Sequence, residues 1–235
     1  MECPNCTNPM VALPLKTTLD VPVQANQCAD CALLWFDAGS SVRLSAPSVL
    51  TVFQAIGTAK RAGAGAALRT AFSCPRCQHE LALTHDLQRS TRFTYWRCPT
   101  DRGQLIGFTQ FLLEKNFIRA PSADELARLR QNIREISCSQ CGAPIDLHRD
   151  SMCPYCHAPI ALVDPEGIAS AVRDLRAHKG APDGWSFTTS PSASTIGETQ
   201  FRAIFDSRRA EQAGDAHDLL KVGIGAILAM LDDAL

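Results

Sequence analysis

Apolar positions in the first half of the chain come in short runs that proline and charged residues keep interrupting. From Met10 to Cys28, MVALPLKTTLDVPVQANQC sets β-branched and apolar residues between breaks at Pro14, Asp20 and Pro22, which predicts a hairpin. RSTRFTYWRC, residues 89 to 98, is rich in β-formers and predicts a second. After the second cysteine knuckle of each module a helix is expected to start, with Asp37 as N-cap of the first and Thr109 as N-cap of QFLLEKNF. The alanine-rich stretch from Ala46 reads as helix to about residue 57, followed by a flexible stretch near Gly57 to Gly65.

Helical spacing is plainer further on. PSADELARLRQNIREIS opens on Ser122 and Glu125, a capping box, and repeats apolar residues at Leu126, Leu129, Ile133 and Ile136. Asp164-Pro165 opens another helix, read to His178. Residues 179–199 turn to Gly, Pro, Ser and Thr, the composition of a linker, with Trp185 and Phe187 as either a docking peptide or rings folded back on the body. Residues 200–235 predict two C-terminal helices. The last is apolar on nearly every face from Leu219 to Leu231, so it is expected to pack on the body or to self-associate.

Cysteine turns this pattern into modules. The 235 residues hold eleven cysteines, and the chain opens directly on one of their motifs with no apolar leader behind Met1. A reducing cytoplasm is the expected compartment, where paired cysteines bind metal more often than they form disulfides. Cys3-x2-Cys6 and Cys28-x2-Cys31 form one set, and Cys138-x2-Cys141 with Cys153-x2-Cys156 another. Two short knuckles whose sulfurs converge on one ion are what a four-cysteine structural zinc site requires.

The middle set is one cysteine short: Cys74-x2-Cys77 is followed by Cys98 alone. The register puts Asp101 in the missing place, and a carboxylate can ligate zinc; His79 and His85 are the alternatives. CPYCH at 153–157 also fits haem-attachment and redox patterns, but these would need export or a strand–helix–strand context. His157 is then an exposed loop residue. Three Zn2+ ions are expected.

The fold expected is a small metal-stabilised α+β chain of three zinc-ribbon modules, β-hairpins with knuckles, connected and followed by α-helices. Its divisions are 1–46 (ribbon 1), 47–70 (connector), 71–120 (ribbon 2), 121–136 (helix), 137–163 (ribbon 3), 164–178 (helix), 179–199 (linker) and 200–235. Ribbons this small cannot bury enough apolar surface without the metal.

The first module resembles the bacterial zinc-ribbon domains named after transcription factor IIB. Cys3, Cys6, Cys28 and Cys31 match the ligand positions of that family, and Trp35, Asp37 and Gly39 its Trp-x-Asp-x-Gly motif, over about 45 residues. Asp101 departs from the pattern. The resemblance implies zinc and a ribbon fold and supplies no biochemical function.

Charge separates two functional expectations. The formal net charge is −1, and three dications on eleven thiolates would bring it to about −6, which disfavours a globally basic nucleic-acid binder. A non-catalytic protein-interaction scaffold is therefore expected, with a protein partner held through the C-terminal helices. The alternative is nucleic-acid binding by the middle module, where Arg89, Arg92, Arg97 and Arg102 lie beside Tyr95 and Trp96. Strand alternation competes with it, sending Phe93 and Tyr95 to one face and Arg92 and Trp96 to the other. No nucleophile motif, second carboxylate or phosphate loop suggests an enzyme, and no apolar run suggests a membrane span.

Overall fold

A computed structural model describes residues 1–61, 68–88, 91–140, 142–155, 158–164, 166–168, 170, 202, 219, 223 and 224. The chain divides into two units, Met1–Lys115 and Asn116–Leu235.

In the first unit both predicted hairpins form. The first is β1 (Val11–Lys16) against β2 (Pro22–Cys28). Pro14 is tolerated because β1 is an edge strand, where a missing N–H costs no ladder bond. After the second knuckle the chain does not enter a helix at Asp37. Leu33–Phe36 are apolar throughout and fully buried, and they form strand β3 beside β2. A short 3-10 turn, Ser41–Arg43, follows with Ser40 at its N-cap. Helix α1 spans Ala46–Arg61, four residues beyond the predicted end. Burial of Leu50, Val52, Phe53, Ile56 and Ala59 offsets the roughly 1 kcal/mol that Gly57 costs inside a helix. Of the predicted flexible stretch, Gly57 to Arg61 are helical, and the rest falls among residues 62–67, which lie outside the described residues.

The second hairpin is β4 (Ala82–Gln88) against β5 (Thr91–Arg97), followed by β6 (Gln104–Gly107). Helix α2 spans Phe108–Glu114 and is capped by Gly107, not Thr109, which is buried inside it. The start is set by β6: Gly107 pairs with Leu33, and the next amide, Phe108 N–H, donates to Ala32 O at 2.9 Å.

Strands β3 and β6 join the halves into one six-stranded antiparallel sheet of order β1-β2-β3-β6-β5-β4. The order reads the same from either edge, so the two halves are related by an approximate twofold axis. Its register is exact about Trp35 and Leu105, each seven residues beyond the first cysteine of its second knuckle and directly opposite the other. Around this seam Phe36 stacks on Phe111 at 5.7 Å. The buried Glu114 carboxylate accepts from Ser41 Oγ and from Lys115 Nζ, and the latter also donates to Ser41 O at 2.7 Å.

In the second unit, Ile118–Arg119 (β7) pairs with Leu162–Val163 (β10), and Glu135–Ser137 (β8) with Pro144–Asp146 (β9). Helix α3 runs Ala123–Asn132, with the predicted Ser122–Glu125 capping box present in both directions. It stops short of Ile136, which the sequence reading placed on the helix. Ile136 instead pairs with Ile145 in the β8–β9 ladder and reaches the same core as Leu129 and Ile133. Asp164 caps the following turn, its Oδ1 accepting from Glu166 N–H at 3.0 Å. Leu219 also belongs to this core. The predicted linker with Trp185 and Phe187, most of the helix predicted from Asp164 to His178, and most of the two helices predicted over 200–235 lie outside the described residues. Among the described residues no helix is long and apolar enough to cross a membrane.

Candidate metal centres

Three of the four knuckles of the first unit, those opening at Cys3, Cys74 and Cys98, are built by the same local backbone chemistry. Cys3 N–H donates to Asn8 O, Cys74 N–H to His79 O and Cys98 N–H to Gly103 O, all within 2.8–2.9 Å. The return bonds, Thr7 N–H to Cys3 O, Gln78 N–H to Cys74 O and Arg102 N–H to Cys98 O, close the turn. Closing it so tightly forces the residue after the second ligand into the left-handed region: Thr7, Ala32, Gln78 and Arg102 all have φ between 53° and 66°. The first sulfur of each turn then faces an amide two or three residues on. Asn5 N–H lies 3.4 Å from Cys3 Sγ, Arg76 N–H 3.4 Å from Cys74 Sγ and Asp101 N–H 3.4 Å from Cys98 Sγ. Such bonds favour thiolate over thiol.

The sheet brings these turns together in pairs. Cys3, Cys6, Cys28 and Cys31 place their four sulfurs within 4.8 Å of one another, and Cys74, Cys77, Cys98 and Asp101 do the same with three sulfurs and a carboxylate oxygen. Cys6 and Cys28 Sγ are 3.6 Å apart, Cys77 and Cys98 Sγ 3.4 Å. Two sulfurs on a common tetrahedral ion, with bonds of about 2.3 Å, stand about 3.8 Å apart. Both donor sets therefore fit one metal ion each. Cys3, Cys28, Cys31, Cys74 and Cys98 are buried, and the two sets belong to one hydrophobic cluster with Trp35, Phe72 and Leu105.

Asp101 fills the fourth donor position of the middle set. Its Oδ2 accepts from Cys74 Sγ at 3.0 Å, while Oδ1 accepts from Gly103 N–H at 2.7 Å, leaving one oxygen for an ion. His79 is exposed at the rim, its Nδ1 3.3 Å from Cys77 Sγ, and His85 is an exposed residue of β4 outside the cluster.

The ionisation of the metal-free groups follows from this packing. Burial pushes Cys28 up, and pushes Cys31 up to about 11 although the Asn5 amide opposes it. Burial and then the Asp101 carboxylate push Cys74 up to about 12. The backbone and ring of His79 bring Cys77 down to about 7. Burial works against the Asp101 charge, but hydrogen bonds from Cys74 and Gly103 outweigh it and hold the carboxyl below its ordinary range. Loading an ion onto thiols held this high must release protons.

Trp35, Asp37 and Gly39 each have a structural task. Trp35 fills the seam against Gly103, Asp37 pairs with Arg76 of the other half's knuckle at 2.7 Å, and Gly39 supplies a turn at φ 64°. The third set is described in part. Cys138 and Cys153 are buried, Cys138 N–H donates to Ala143 O, Cys153 N–H to Ala158 O, and Gln140 N–H faces Cys138 Sγ at 3.4 Å, as in the other knuckles. Cys141, Cys156 and His157 lie outside the described residues.

The basic and aromatic residues of the middle hairpin are divided by the strand register. Phe93 is buried and stacks on Tyr95 at 5.9 Å on one face. Arg92 and Trp96 fall on the other, Trp96 edge-on to Phe72 at 4.7 Å. Arg92, Arg97 and Arg102 are exposed, and Arg89 lies outside the described residues. The sequence reading did not foresee the exposed Leu83 and Leu87 of β4, two of the larger apolar side chains left in solvent. Their signal was the alternation Leu83, His85, Leu87 itself.

No family model matches the chain, and no curated protein or solved structure is significantly similar to it.

Proposed function

We propose that the chain is a non-catalytic zinc-binding scaffold of the ribbon type, related to the transcription-factor-IIB-like domains, whose ions hold a rigid sheet that a protein partner docks on. The observation carrying this reading is that both described donor sets are closed. Four donors in each converge, most are buried, and their first sulfurs are already hydrogen-bonded by their own knuckles. Thiolate-rich tetrahedral sets suit zinc, and a set with four protein donors keeps no position open for a substrate. The third set, with its knuckle hydrogen bonds at Cys138 and Cys153, supports a third ion.

Leu219 is taken up by the core of its own unit, so the partner surface is better sought on the β4–β5 hairpin. Leu83 and Leu87 are each more than half exposed there. A photo-crosslinking residue placed at Leu83 should capture one defined protein in cells, whereas the same residue at Val42, an exposed apolar control, should not. Equal capture at both positions would remove the hairpin from the account.

Nucleic-acid binding is the second reading, favoured by the exposure of Arg92, Arg97 and Arg102. The burial of Phe93 and the opposite facing of Tyr95 and Trp96 take away a continuous stacking strip, which places it second.

A further inference from the structure

Resting on the reading of both sets as zinc sites, we infer that the second is the exchangeable one: Asp101 yields its coordination position to an external thiolate or chelating donor, and Trp35 of the first half sets how readily it does so.

The two sets differ in donor and in access. The first offers four thiolates and the second three with one carboxylate. Oxygen is the harder donor and the weaker match for a borderline-soft ion whose other bonds are to sulfur. In the first set Cys6 alone is half-exposed; in the second both Cys77 and Asp101 are, so an incoming donor reaches the ion from the side of its weakest bond. The exchange moves no electrons, since the metal–Oδ2 bond breaks as the bond to the incoming donor forms.

What retains Asp101 is its second oxygen. Oδ1 is held by Gly103 N–H, and Gly103 is held by Trp35: a Cβ on Gly103 would lie 2.1 Å from Cζ2 and 2.7 Å from Cη2 of the indole. Trp35 is fully buried with no hydrogen-bond partner for Nε1, so its hold on Gly103 is one of shape alone. Trp35 is thus a positioning residue for a ligand in the opposite half of the sheet.

The test is zinc release from the fully loaded chain into excess pyridylazoresorcinol, followed by absorbance, with total zinc measured beforehand. One equivalent should leave at least about tenfold faster than the remainder, and Asp101→Cys should merge it with the slow phase by restoring a fourth thiolate. Asp101→His gives a second stronger donor should the cysteine variant misfold. Gly103→Ala should speed the fast phase by about 10–100-fold, the usual effect of disturbing a ligand's outer partner, and by more than it speeds the slow phase. A single rate for all ions, or a fast phase that survives both Asp101 variants, would overturn the inference while leaving the zinc reading intact. Total zinc below two per chain would overturn both.

Discussion

Trp35 and Leu105 stand directly opposite each other at the β3–β6 seam, at equivalent positions of the two halves. Both are fully buried, and the cluster they share contains cysteines of both candidate metal centres. The halves therefore cannot lose their packing independently.

Gly103→Ala is expected to destabilise the first unit even though it adds one methyl group. The new Cβ would overlap the ring of Trp35, which is fully buried. Overpacking of this kind costs about 1–3 kcal/mol, and urea denaturation of the loaded protein would measure it.

Trp35→Ala should be worse, because it leaves a cavity at the seam. A loss of about 3–5 kcal/mol is expected. Circular dichroism melts should also show both halves unfolding in one transition.

Metal removal should unfold the six-stranded sheet. The hairpins are short, and their cysteine clusters fill the place of a larger apolar core. Excess chelator is expected to expose Met1–Lys115 to protease, and restored zinc to protect it again.

The second unit carries a pH dependence of its own. Arg119 donates two hydrogen bonds of 2.7 Å to Glu125, and these, against the pull of burial, hold the carboxyl at about 2. A carboxyl lowered in the folded state stabilises fully above its unfolded value near 4.5 and loses that contribution as pH falls toward 2. Glu125→Gln keeps the capping box and removes the charge. It should cost about 1–2 kcal/mol at pH 7 after allowance for partial exposure, and the gap from wild type in thermal melts should close between pH 5 and 2.

The cysteine spacing made both described clusters legible in advance, including Asp101, because a knuckle fixes the position of its second ligand by register. The capping box at Ser122 was equally plain, since it is a local arrangement. What escaped was the pairing of β3 with β6. LLWF and QLIG are short, mostly apolar runs with no period of their own, so nothing local separates a strand start from a helix start there. Asp37 and Thr109 therefore fit a helix-cap pattern although Ser40 and Gly107 hold the N-cap positions of the turn and helix that follow. Ile136 fitted a helical spacing but lies where a hairpin partner, Ile145, was available.

Native mass spectrometry of the full chain tests the central claim most directly. The account predicts one zinc ion from each of the two described clusters, with Cys28→Ser removing one and a Cys98→Ser, Asp101→Ala double variant removing another. A chain without bound metal whose mass is short by two hydrogens for each cysteine pair would mean disulfides in place of metal centres, and would contradict it.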